Sequence, residues 1–146
     1  MKAHLITTPE DRATAFAIRA KVFVEEQGVP RDAEYDAHDE QDARHYLVVS
    51  DEGTPCGAAR WRTTENGVKL ERFAVLDSFR NRAAGSAILQ RVLEDVQQQH
   101  PHVPVYLNAQ LRAVPFYERH GFKKVGEKFT ECDIEHYKME WQRPGV

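Results

Sequence analysis

Leu70-Glu71-Arg72-Phe73-Ala74-Val75, a bend at Leu76-Asp77-Ser78, and Phe79-Arg80-Asn81-Arg82-Ala83-Ala84-Gly85-Ser86 form the stretch best suited to chemistry. A strand that feeds a small-residue turn at the start of a helix brings unpaired backbone N–H groups and the positive helix end to one point. That is a cradle for an anion. Arg80 and Arg82 would add guanidinium charge, so a pyrophosphate is the natural guest. Two familiar phosphate loops are excluded: the Gly-Lys-Ser/Thr ending of a P-loop is missing, and the glycine spacing of a dinucleotide fingerprint fails. Asn108 is the other residue of note, because it interrupts the apolar run Val105–Ala109, where a buried amide needs a partner.

Charge adds a second signal. The 146 residues hold 20 Lys+Arg and 23 Asp+Glu, a net of −3 that excludes a bulk polycation coating nucleic acid, and no nucleic-acid motif or basic stripe is present. Between Glu25 and Asp42, however, eight acids stand against the single base Arg31, a local −7 that leaves +4 on the rest. A charge run of this kind is most often a solvated face. Cys56 and Cys132 are far apart and form no CxxC, which argues against a zinc ribbon or disulfide framework and for a reducing cytoplasm. Met1–Pro9 lacks the basic and apolar regions of a signal peptide, and no window approaches 18 apolar residues, so neither export by that route nor a membrane span is expected. His100 and His102 flank Pro101 with no ligand at metal spacing, and no metal is expected.

The elements that must position these residues follow from periodicity. Thr8-Pro9-Glu10-Asp11 reads as a helix start, and Ala13, Phe16, Ala17, Ala20, Phe23 and Val24 recur at helical spacing until Gly28-Val29-Pro30. Arg31 to Arg44 reads as a loop with one helical turn at most. Strands are expected over His45–Ser50, Gly57–Thr63 and Val68–Val75, the last pair joined by a tight Asn66-Gly67 turn. Ala84, Ile88, Leu89, Val92, Leu93 and Val96 stripe a long helix ending near Gln99. Strand Val105–Ala109, a short helix Ala113–His120 closed by Gly121, and strands Phe122–Phe129 and Ile134–Trp141 complete the order β-α-β-β-β-α-β-α-β-β. No linker or repeat divides the chain, so one α/β domain over 1–146 with a mixed, mostly antiparallel sheet flanked by helices is expected.

On these residues the chain resembles the GCN5-related N-acetyltransferase superfamily, whose acetyl-CoA signature is an Arg/Gln-x-x-Gly-x-Gly/Ala loop between the fourth strand and a helix. Arg80-Asn81-Arg82-Ala83-Ala84-Gly85 matches it, except that Ala83 stands where the first glycine is usual. Alanine does not easily take a positive φ, and its methyl limits close approach of a phosphate, which leaves open whether CoA affinity is weakened and does not imply its loss. Ile18 through Pro30, then Glu34, Asp36, Asp39 and His45, look like a subgroup of small bacterial acetyltransferases, and Phe116-Tyr117-Glu118, His120-Gly121-Phe122 and His136 fit its later part. The similarity covers nearly the whole chain.

The resemblance implies an acyl-CoA N-acyltransferase fold whose fourth and fifth strands splay apart around the pantetheine arm. Backbone groups of Phe73, Ala74 and Val75 would pair with that arm, and Asn108 would lie across the cleft. Ser86 would close the cradle. Tyr117 matches the usual general acid; a phenol of pKa about 10 is close enough to a thiol's of about 8.5 for easy proton transfer. Glu71 is the candidate base, on the expectation that apolar neighbours raise its pKa; His136 and His45 are further titratable candidates. The first helix and the loop after it, Phe23 to Arg44, would wall the acceptor pocket, with Phe23, Glu26, Glu34 and Asp36, and His136 from a late strand, meeting the acceptor. The acid run then predicts a cationic amine: a small molecule or a Lys-bearing peptide.

The resulting expectation is acetyl transfer from acetyl-CoA, as co-substrate and without a metal, to a primary amine by direct attack in a ternary complex. Neither nucleic acid nor membrane is an expected partner; monomer and homodimer both stay open. Two rivals share the fold. A non-catalytic acetyl-CoA sensor would tolerate Ala83 and a missing base. An acyl-homoserine-lactone synthase is resembled by Arg19 to Phe23 with Glu34, Asp36 and Asp39, although the chain is short for one and lacks the Trp expected soon after that run.

Overall fold

A computed structural model describes residues 1–144. Strand β1 is Lys2–Leu5, followed by helix α1, Pro9–Arg19. Two short helices, α2 (Arg31–Glu34) and α3 (His38–Gln41), precede strands β2 (Arg44–Val49), β3 (Pro55–Thr64) and β4 (Gly67–Val75). Helix α4 (Ala84–Gln99), strand β5 (Val105–Gln110), helix α5 (Val114–Arg119) and strands β6 (Phe122–Glu131) and β7 (Ile134–Trp141) complete the chain. The strands form one sheet in the order β1-β2-β3-β4-β5-β7-β6. Every neighbouring pair is antiparallel except β4 and β5. This is the mixed α/β architecture expected from the sequence.

Helix α4 lies on one face of the sheet and α1 on the other. The α4 stripe Ile88, Leu89, Val92 and Val96 is buried against Tyr46, Trp61, Val68 and Leu70, and each fully buried aliphatic side chain contributes about 2 kcal/mol. Trp61 Nε1 donates to the Tyr46 hydroxyl at 3.0 Å, which donates to Asp95 of α4 at 2.7 Å, so polar atoms in this layer are paired. Ala15, Ile18 and Val22 fill the smaller layer against Leu47, Ala58 and Ala74.

Thr8 caps α1 by accepting from Asp11 N at 3.2 Å, with Pro9 in the first turn, as the sequence predicts. The buried face differs from the expected stripe. Ala13 and Ala17 are exposed, whereas Ala15, Ile18, Arg19 and Val22 face inward. The reason is Arg19: an arginine holds an interior position through ion pairs, which an apolar count does not register. After Arg19 the coil loosens into a π-helical segment, Ala20–Glu26, with Gln27 N donating to Val22 O at 3.2 Å. π-Turns inside α-helices concentrate at functional sites. The stretch expected to be mostly loop holds two short helices, α2 and α3, for reasons that lie in the same ion pairs.

Candidate active site

β4 and β5 are paired only at Val68–Val105, Lys69–Tyr106 and Leu70–Leu107. Beyond Leu70 the strands part, and a cavity of about 820 Å³ opens between them. Its walls are the loop into α4, the ends of β4 and β5, helix α5, the π-helical segment, and the β6–β7 end. Phe23, Glu34, Glu71, Phe73, Ala74, Val75, Arg80, Asn81, Ala83, Ala84, Gly85, Ser86, Asn108, Tyr117 and His136 all line it. Arg82, Glu26 and Asp36, also expected at the site, do not.

At one end the chain enters α4 through two residues in the left-handed region, Asn81 at φ +63° and Ala83 at φ +68°. Left-handed residues in such a turn aim successive N–H groups to one side. The first intrahelical bond runs from Ala87 N to Ala83 O, so the N–H groups of Ala84, Gly85 and Ser86 precede the helical ladder. Gly85 fits because a Cβ there would stand 3.3 Å from the Phe116 ring, and its absence lets α5 close on the turn. Ala83 takes the positive φ that alanine resists, a strain of about 1–2 kcal/mol. Ala83→Gly is therefore expected to raise thermal stability by about 3 °C and to tighten acetyl-CoA binding; calorimetry and a binding titration check both. A melting point lowered by the substitution would contradict the strain.

The arginines at this end are not free point charges. Arg80 donates through Nε to Val75 O at 3.0 Å and pairs with Glu26 at 2.7 Å and Asp77 at 3.2 Å. Arg82 turns away, lies over the Phe79 ring and reaches Glu52 at 3.4 Å. Ser86 Oγ shares a hydrogen bond of 3.1 Å with His120 Nε2.

In the middle of the cavity, β4 carries a bulge. Ala58 opposes Ala74 and Arg60 opposes Glu71, so one residue of β4 is extra, and Arg72 sits there at φ +59°. The bulge reverses facing: Glu71 lies on the α1 side with Arg60, while Phe73 packs into the α4-side core. Arg72 itself reaches back to the carbonyls of Glu34 and Ala33 at 3.0 and 3.1 Å. Tyr117 packs edge-on to Phe73, Phe116 and Phe122, and burial pushes its phenol pKa up. Burial is the sole cause of that shift, with no hydrogen bond to the hydroxyl among the described residues. The half-buried Asn108 pairs through its backbone with Lys138 of β7 and turns its face to the same cavity.

The acceptor end corrects two expectations. Burial would raise the Glu71 carboxyl, but Arg62 at 2.7 Å, with Arg60 and Lys69 at 3.1 and 3.2 Å, outweighs it and lowers the pKa. Its pKa is not raised as predicted, because the bulge puts it among cations rather than apolar side chains. The acid run is also not a free anionic mouth. Glu34 meets Arg19 at 2.7 Å; Asp39 meets Arg19 at 2.6 Å and Arg60 at 2.8 Å; Asp36 meets Arg60 at 2.8 Å and Arg72 at 3.2 Å. Arg19 and Arg60 are 1% and 0% exposed, so these acids neutralise buried guanidinium groups. This network folds α2 and α3 onto the sheet. It ties up three of the eight acids on which the expected cationic acceptor rested, while Glu25, Glu26, Asp32, Glu40 and Asp42 stay exposed.

Sequence reasoning missed three features of this end. Gln110 Nε2 donates to Gln27 Oε1 at 2.7 Å, tying the π-helical segment to β5 across the cavity. Glu131 and Cys132 border it from the β6–β7 turn. Arg72 is the third; it and Arg60 lie far along the chain from the acids they pair with, and no local pattern marks them.

Comparison with known proteins agrees with this geometry. The family model described as an acetyltransferase (GNAT) domain matches residues 8–143. An uncharacterized N-acetyltransferase, YjcF of Bacillus subtilis, is 40% identical over 140 residues, covering 95% of this chain and 98% of that protein. The crystal structure of Escherichia coli ElaA superposes with a TM-score of 0.85 at 27% identity, covering 97% of this chain and 100% of ElaA. An acyl-CoA N-acyltransferase from Pseudomonas aeruginosa superposes with a TM-score of 0.84 at 27% identity, with the same coverage of both chains. A sheet that parts beyond Leu70, a left-handed entry into α4 and a match spanning 8–143 converge on one conclusion: the chain belongs to the GNAT acetyltransferase family.

Proposed function

We propose that the cleft moves an acetyl group from acetyl-CoA to a primary amine, on a small molecule or a peptide lysine, by direct attack in a ternary complex. The observation that carries this reading is that the α4 entry and Tyr117 line one cavity, which opens where β4 and β5 part. N–H groups of Ala84, Gly85 and Ser86 suit the pyrophosphate, and the edge of β4 from Phe73 to Val75 suits the amides of the pantetheine arm. The thioester carbonyl then lies beside the bulge, where a β4 N–H without a strand partner stabilises the developing oxyanion. Tyr117 gives its proton to the departing sulfur. With Glu34, Asp36 and Asp39 spent on arginines, selection among amines rests on the shape set by Phe23, Gln27 and Gln110 rather than on a negative field.

The test is an initial-rate grid in acetyl-CoA and amine, with CoA thiol as the readout. Lines that intersect are expected for attack within a ternary complex. Parallel lines would mean an acetyl-enzyme and would contradict direct attack.

A further inference from the structure

We propose that His136 is the catalytic base that takes the proton from the acceptor's ammonium group, through Nε2. This rests on acetyl transfer to an amine in the same cleft. His136 Nδ1 lies 2.7 Å from the carbonyl oxygen of Ile134. A carbonyl can only accept, so Nδ1 carries the hydrogen, and the neutral ring keeps its lone pair on Nε2. His136 is 8% exposed and its ring stacks on Phe129, with centroids 5.7 Å apart and planes 20° from parallel, so its orientation is fixed. It lines the cavity opposite Gln110 in the β5–β7 register, beside the Gln27–Gln110 bridge at the acceptor end.

Two carboxylates of the cavity and a histidine beside it are held in ion pairs or hydrogen bonds. Glu71 is held by three cations and Glu34 by Arg19 and Arg72. His120 bonds Ser86 at the cofactor end. His45 does not line the cavity; it sits against the Phe16 ring with Nε2 3.9 Å from Asp39. Glu131 is an exposed carboxylate at the rim, whereas His136 is buried in the cavity wall. The charged or titratable groups that share this end of the cavity or the His136 strand face are Glu131 at the end of β6, Cys132 after it, Arg112 from the turn packed on β7, and Lys138 two residues along the strand. Glu135, paired with Lys128, points to the opposite face.

In the step, one ammonium proton passes to Nε2 and the neutral amine forms its N–C bond to the thioester carbon. The C–S bond then breaks, Tyr117 protonates the thiolate, and the amine's second proton restores the Tyr117 phenol. The products are the amide, CoA thiol and an imidazolium that sheds its proton to solvent.

His136→Gln keeps a polar side chain without a base. It is expected to lower kcat/KM for the amine about 100-fold at pH 7, with a deficit that shrinks as pH nears the amine's own pKa and solvent supplies the neutral form. Acetyl-CoA affinity is expected to be unchanged. Independently of the variant's folding, long-range nitrogen NMR of the intact protein is expected to show the Nδ1–H tautomer and to follow Nε2 as it protonates. A wild-type chain that acetylates amines while His136→Gln matches it, or loses one constant factor at every pH, overturns the role of His136 and leaves acetyl transfer standing. An Nε2–H tautomer does the same. A wild-type chain that binds acetyl-CoA and acetylates no amine overturns the transfer reading, and this role falls with it.

Discussion

Tyr117→Phe is expected to lower kcat about 100-fold while leaving the KM for acetyl-CoA and the melting temperature almost unchanged. The ring sits among Phe73, Phe116 and Phe122 at centroid distances of 6.4, 5.1 and 5.7 Å, and phenylalanine keeps all three contacts. No hydrogen bond to the hydroxyl is found among the described residues, so its removal carries little structural penalty. A rate loss therefore isolates proton donation to the thiolate. The pH profile gives a second readout. Burial raises the Tyr117 pKa above the ordinary value of about 10, so the phenol stays protonated through neutral and mildly alkaline solution. No loss of kcat assignable to Tyr117 is expected below about pH 10. Unchanged turnover in the variant would assign Tyr117 to packing alone.

Asp39→Asn is expected to destabilise the fold by about 3–5 kcal/mol, a large part of the roughly 5–15 kcal/mol of a typical domain. Asp39 is 3% exposed and bridges Arg19 and Arg60 at 2.6 and 2.8 Å, so the amide leaves two buried guanidinium groups undercompensated. Asp32→Asn, at an exposed position of the same acid run, is expected to stay within about 0.5 kcal/mol. Urea unfolding midpoints of the two variants check the contrast; equal midpoints would mean that the run is solvated after all. The network also fixes the sign of the acid response. Burial opposes the shift at Asp39 and Asp36, but the guanidinium groups of Arg19 and Arg60 prevail and hold both carboxyls below their ordinary range. Depressed carboxylates contribute fully above the unfolded value of about 4 and progressively less as pH falls through the folded values. Stability is therefore expected to fall on acidification below about pH 4, and Asp39→Asn to flatten that fall.

What the sequence made legible was whatever local chemistry encodes. The Thr8-Pro9 start, the Asn66-Gly67 turn and the α4 stripe each follow from one rule applied to neighbouring residues, and each is where the structure has it. The mixed sheet followed from element order. What stayed hidden depends on pairing between distant segments. One extra residue in β4 opposite β3 turns Glu71 toward Arg60 and Phe73 toward α4, and nothing in Leu70–Val75 announces it. The −7 run looked like surface because its partners, Arg19, Arg60 and Arg72, come from α1, β3 and β4. Ala83 was legible as an unusual residue. Its left-handed φ became visible only with the backbone.

The most direct measurement is to incubate the chain with acetyl-CoA and a panel of primary amines, and to quantify CoA thiol and N-acetylated product by mass spectrometry. Stoichiometric thiol and acetyl-amine, with no acetyl group left on the protein, is the expected result. A chain that binds acetyl-CoA tightly, yet releases no CoA beyond background with any amine, would contradict acetyl transfer and favour a cofactor sensor built on the same cleft.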